Sequence, residues 1–104
     1  MTKKQLTDVL LELSQASKKI SSDEELHSVM VKYDMLFIGG KFNTIYTLEL
    51  YHTLISCFGI ETSREELNSL IPDVCTSLNM KYTPMAKMND LNNPVPYCYQ
   101  VVLW

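Results

Sequence analysis

The chain has 104 residues, 46% of them hydrophobic and 20% charged, the balance of one soluble globular domain that buries a core without staples. Its formal net charge of −3 and pI of about 5.2 give no bulk attraction to phosphate or anionic lipid. That argues against a whole-molecule electrostatic role and leaves only local patches to consider.

The first stretch, "MTKKQLTDVLLELSQ", sets two lysines before leucines, as a secretion signal does. Asp8 and Glu12 interrupt the apolar run and no small-residue cleavage site follows, so a cytoplasmic location is expected. The spacing instead predicts an amphipathic helix over 3–20, with Leu6, Val9, Leu10, Leu13 and Ile20 on one face. Thr2 and Gln5 have capping-box spacing at its start, and Lys18 and Lys19 suit its end. Ser22 and Glu25 repeat the capping spacing and open a second helix, whose inner face carries Leu26, Val29, Met30 and Tyr33.

"MLFI", residues 35–38, is too short for a helix and reads as a short buried strand, after which Gly39 and Gly40 turn the chain. A third helix is expected over 44–58, from Tyr46, Leu50, Leu54 and Phe58, with Gly59 as its stop. A fourth covers 63–80, capped by Ser63 and Glu66. Its stripe runs through Leu67, Leu70, Ile71, Val74, Cys75 and Leu78, with Pro72 inside it as a kink or a split. "TPMAKM" reads as a strand in which Pro84 requires an edge position or the strand's first residue. "NDLNNPVP" is turn chemistry, and "YCYQVVLW" a final strand. In that strand Tyr97, Tyr99, Val101 and Leu103 share one face, and Cys98, Gln100, Val102 and Trp104 the other.

The fold expected is therefore α+β and mostly helical, four helices with a short strand and a C-terminal β-hairpin, in one domain over 1–104. From residue 22 onward this order resembles the winged helix-turn-helix superfamily, with "MLFI" as the short strand, 44–80 as the helix pair and 89–96 as the wing. Residues 1–21 would then be an extra N-terminal helix whose leucines must pack somewhere, either on a second copy, which motivates a homodimer, or on their own domain. The resemblance implies that 63–80 would enter a DNA groove. The charges there, Arg64, Glu65, Glu66 and Asp73, are net negative and oppose it. Lys41, Lys81 and Lys87 are the remaining candidates for nucleic-acid contact, and strand-edge lysines equally guard against edge pairing.

No catalytic or metal constellation emerges from the residue types. His27 and His52 lack zinc-ligand spacing with Cys57, Cys75 or Cys98. Those three cysteines are odd in number and contain no CxxC pair, so they read as free, buried thiols of a reducing compartment. "IGGKF" departs from the phosphate-loop pattern, and the adjacent Glu65 and Glu66 point about 100° apart on a helix. Tyr82, Tyr97, Tyr99 and Trp104 gather in the hairpin, where they either complete the core of the domain or serve as interface residues, since tyrosine and tryptophan are enriched at binding hot spots. The function expected is a small acidic, non-enzymatic protein-interaction module, a regulator or inhibitor that binds a larger protein and needs no cofactor. By analogy alone, compact acidic chains of this size include inhibitors carried by mobile elements. The alternative is a dimeric winged-helix DNA-binding transcription regulator.

Overall fold

Four helices and a three-stranded antiparallel sheet make up the structure, a computed structural model that describes residues 1–86 and 96–104. In chain order these are α1 (Lys3–Lys18), α2 (Asp23–Tyr33), β1 (Thr44–Tyr46), α3 (Thr47–Ser56), α4 (Arg64–Ser77), β2 (Lys81–Met85) and β3 (Cys98–Val102). The mostly helical α+β class read from the sequence is the one observed. The loop expected at 89–96 lies, apart from Pro96, outside the described residues, as do Lys87 and Met88 at the end of "TPMAKM".

Local chemistry accounts for the helix ends. Thr2 and Gln5 form a full capping box on α1, each side chain bonding the other residue's backbone. Ser22 and Ser63 accept the amides of Glu25 and Glu66, but neither glutamate completes a box. The Glu25 carboxylate turns to Ser21, whose amide and hydroxyl both donate to it. The Glu66 carboxylate accepts from Thr62 and from the Met1 amine at 2.6 Å. At the far ends, α2 and α4 close on residues in left-handed conformation, Asp34 (φ 51) and Asn79 (φ 59). Met35 donates to Met30 O and Met80 to Cys75 O, which satisfies carbonyls that the helices would leave open.

Two expectations about the middle of the chain are corrected. "MLFI" is not a ladder strand, because only Ile38 pairs, in an isolated bridge to Thr44. The segment is extended all the same: Met35 and Phe37 are buried, whereas Leu36 is 53% exposed. The short strand lies beyond the glycine turn, at Thr44–Tyr46, so α3 starts at Thr47 rather than at 44. β-branched and aromatic side chains with a partner strand at hand outweigh the four-residue spacing that had drawn Tyr46 into the helix. That helix also ends sooner, at Ser56, with Gly59 (φ 63) turning the chain three residues later.

Strand order is β1–β3–β2, so the final strand is central and β2 forms an edge. Tyr99 N–H donates to Thr47 Oγ1 at 2.8 Å, on the β1 side of β3. Pro84 pairs with Tyr99 from the β2 side, at a position where neither residue's amide points at the other. The ladder therefore needs no donor from Pro84, and the proline sits in an edge strand, one of its two expected positions. Pro72, by contrast, is carried inside one continuous helix, since α4 runs from Arg64 to Ser77 without a split.

Packing distinguishes the two readings of the α1 leucines. Leu6, Val9, Leu10 and Leu13 are 0 to 4% exposed and belong to the same core cluster as Leu50 and Leu54 of α3, Ile71 of α4 and Val101 of β3. The apolar face of α1 is occupied within the chain, so the spare leucines that motivated a twofold partner are not spare. Two buried serines on that helix fix the other layers. Ser14 Oγ donates to Leu103 O at 3.0 Å, and Ser17 Oγ donates to the carbonyl of Phe42. Ile20, expected on the same face, is only half-buried and lies beyond the end of α1.

Candidate interaction surface

The helix that the winged-helix resemblance would place in a DNA groove presents carboxylates. Leu67, Ile71, Val74 and Cys75 of α4 face the core, while Glu65, Ser69 and Asp73 form an exposed row at four-residue spacing. Asp73 pairs with Lys3 of α1 at 3.1 Å, and both side chains are more than half exposed. Glu66 titrates below its ordinary value, chiefly because its carboxylate accepts from the Met1 amine and then from Thr62. The Arg64 guanidinium lies over the Tyr97 ring, 4.6 Å from its centre.

The four hairpin aromatics do not gather into one patch. Tyr99 is 8% exposed and part of the core. Tyr82 meets it edge to face at 5.8 Å from the sheet margin. Trp104 lies at the opposite end of the strand from Tyr97, seven residues of extended chain or about 24 Å away. There its indole N–H donates to Ser17 Oγ at 3.0 Å, and Lys41 Nζ lies 5.6 Å from its ring centre. Lys81 pairs with Val102 from one side of β3 and Thr44 from the other, so Lys81 and Lys41 share that end of the sheet. Lys87, the third candidate lysine, lies outside the described residues.

The thiols and histidines stay apart. Cys75 and Cys98 are buried, and burial pushes the Cys75 thiol up to about 11. Cys57 is exposed, contrary to the expectation that all three would be buried, because α3 ends just before it. Its sulfur bonds the carbonyl of Lys32. His52 packs against Tyr51 at 5.2 Å. Among the described residues no group of three or more histidine, cysteine, aspartate or glutamate side chains is placed to hold a metal, and no helix is long and apolar enough to cross a membrane.

A surface that sequence reasoning passed over lies between α2 and the start of α3. Tyr33 is the only buried residue of α2. It stacks on Phe58 at 6.0 Å, and its backbone carbonyl accepts the Thr53 hydroxyl at 2.7 Å. Burial, then the Glu12 carboxylate beside its hydroxyl, pushes its pKa up to about 12. Leu26, Val29 and Met30 pack partly buried against the same core, as the sequence stripe predicts, and the outer side of the helix stays open. His27, Met30, Val31, Asp34, Leu36 and Glu49 line a shallow cleft of about 300 Å³. Val31 is 66% exposed and Leu36 53%, the two most exposed large apolar side chains among the described residues.

Glu49 is the half-buried carboxylate of this cleft. It titrates above its ordinary value, first because burial disfavours the charge and then because Asp34 repels it, while the Leu36 amide faces it and opposes the shift. Neither lysine nor arginine lines the cleft. A signal for this surface does exist in the sequence: Val31 falls off the Leu26, Val29, Met30, Tyr33 stripe, on a side that should be polar. Leu36 gave no such signal, because in a four-residue apolar run the outward member is fixed only once the segment is known to be extended. Compared with known proteins, the chain matches no family model, no curated protein and no solved structure.

Proposed function

We propose that this chain is a small, non-enzymatic protein-interaction module, a regulator or inhibitor that binds a larger protein through the α2–α3 surface. The observation that carries the reading is the exposure of Val31 and Leu36 on either side of one cleft. Large apolar side chains left open together are what a protein partner covers. A winged-helix-like frame is part of the proposal. Its support is the short strand between α2 and α3, the α3–α4 pair, and the antiparallel β2–β3 ribbon that follows. The exposed carboxylates Glu65 and Asp73 of α4 support a scaffold role for the helix that would otherwise read bases. We place the protein in the cytoplasm, on its free thiols.

The second reading, a winged-helix DNA-binding regulator, draws its support from Lys41 and Lys81 at one end of the sheet. Two measurements made side by side separate the readings: a DNA mobility shift across salt concentrations, and affinity capture of protein partners from a lysate of the source cells. The interaction module gives no salt-sensitive shift and a partner that Val31→Asp with Leu36→Asp releases. Salt-sensitive DNA binding lost in Lys41→Ala with Lys81→Ala, with no captured partner, overturns it in favour of the regulator.

A further inference from the structure

The α2–α3 cleft combines three features that restrict what can fill it. Its rim is aliphatic, from Val31 and Leu36; its charged groups are two carboxylates, Asp34 and Glu49; and its one other titratable side chain is His27. A second copy of the chain laid on this face would bring acidic residues to acidic residues, at a net charge of −3 per chain. A purely apolar occupant would strip water from the two carboxylates and give them nothing in return. An arginine meets both demands. Its stem covers aliphatic surface while its planar fork donates two parallel hydrogen bonds to a carboxylate.

We infer that the cleft is the docking site for an arginine side chain, flanked by aliphatic residues, on the surface of a partner protein. The inference rests on the interaction-module reading and adds the chemistry of the partner to it. The guanidinium lies against Glu49 and Asp34, and its neighbours pack on Val31 and Leu36. The Leu36 amide faces Glu49 and favours its charged form, which sets the rim residue beside the charge. Like-charge repulsion from Asp34 and the half-burial of Glu49 are both relieved when a cation enters.

The test uses the ¹⁵N-labelled full chain titrated with two peptides, acetyl-Leu-Arg-Leu-amide and its citrulline counterpart, which keeps the shape and removes the charge. The arginine peptide is expected to shift the amides of residues 27–36 and of Glu49. It should bind about fivefold more tightly than the citrulline peptide, the scale of one partly exposed ion pair. Glu49→Gln retains an oxygen for the Leu36 amide and should abolish the preference while leaving citrulline binding unchanged. Asp34→Asn, which tolerates the left-handed backbone, provides a second variant that should narrow it. Equal binding of the two peptides at the cleft overturns the arginine assignment and leaves the interaction surface standing. Absence of shifts there with either peptide overturns the assignment too, and a captured partner unaffected by Val31→Asp with Leu36→Asp would then remove the surface itself.

Discussion

Asp34, Phe42 and Asn79 are the described non-glycine residues with positive φ, at 51, 52 and 59°. Each sits where a helix or hairpin must reverse. Asn79 is exposed and ends α4, so its side chain contributes little besides its tolerance of left-handed backbone. Asn79→Gly should leave stability within a few tenths of a kcal/mol, whereas Asn79→Val should cost about 1–2 kcal/mol, the left-handed penalty of an ordinary side chain. Urea midpoints at constant slope read the difference. Glu49 makes a second residue-scale prediction. Its folded pKa lies above the ordinary 4.5, so the folded state binds more protons than the unfolded chain just above that value. Stability therefore falls as pH rises from about 4.5 through the folded pKa of Glu49. Glu66 has the opposite sign, since its lowered pKa gives stability that is lost as pH falls through it. Subtracting the urea-midpoint profile of Glu49→Gln from that of the native chain isolates the first effect. A difference that grows in favour of the native chain with rising pH would contradict it.

At the scale of elements, α1 decides how the molecule holds together. Leu10 is fully buried at the centre of its apolar face. Leu10→Ala should destabilise by about 2–5 kcal/mol. Leu10→Asp should unfold the chain rather than release folded monomers, since typical domains have only about 5–15 kcal/mol in hand. Circular dichroism and sedimentation of Leu10→Asp check this, and a folded monomer would show that the helix face is an interface after all. Helices 1, 2 and 4 were legible in the sequence because capping residues and apolar spacing agree there. The β1–α3 junction was not, since "NTIYTLELY" satisfies a helical spacing and a strand composition at once, and only the pairing of Thr44–Tyr46 with β3 decides between them. Whether the leucines of α1 faced the domain or a second copy was equally closed to a local reading. Amphipathic spacing states that a face is buried, not against what. The hairpin aromatics looked like one cluster because they are near in sequence, yet a strand separates its own ends by the full length of its extended chain.

At the scale of the whole molecule, one core joins all four helices to the sheet, and what remains outside it is uneven. The α4 surface is acidic, the sheet end near Trp104 carries Lys41 and Lys81, and the α2–α3 surface leaves aliphatic side chains open beside Glu49. Of these, the last is the one that a protein partner would cover most profitably, because Val31 and Leu36 lose unfavourable water contact when it does. The most direct measurement is the affinity of the captured partner for the native chain and for Val31→Asp with Leu36→Asp, with circular dichroism on both. Both positions are exposed, so the variant should fold with unchanged helicity. The expected result is binding at least about tenfold weaker, the loss of roughly 1.4 kcal/mol that two apolar contacts of this size readily supply. A folded variant that binds its partner as tightly as the native chain does would contradict the assignment of this surface.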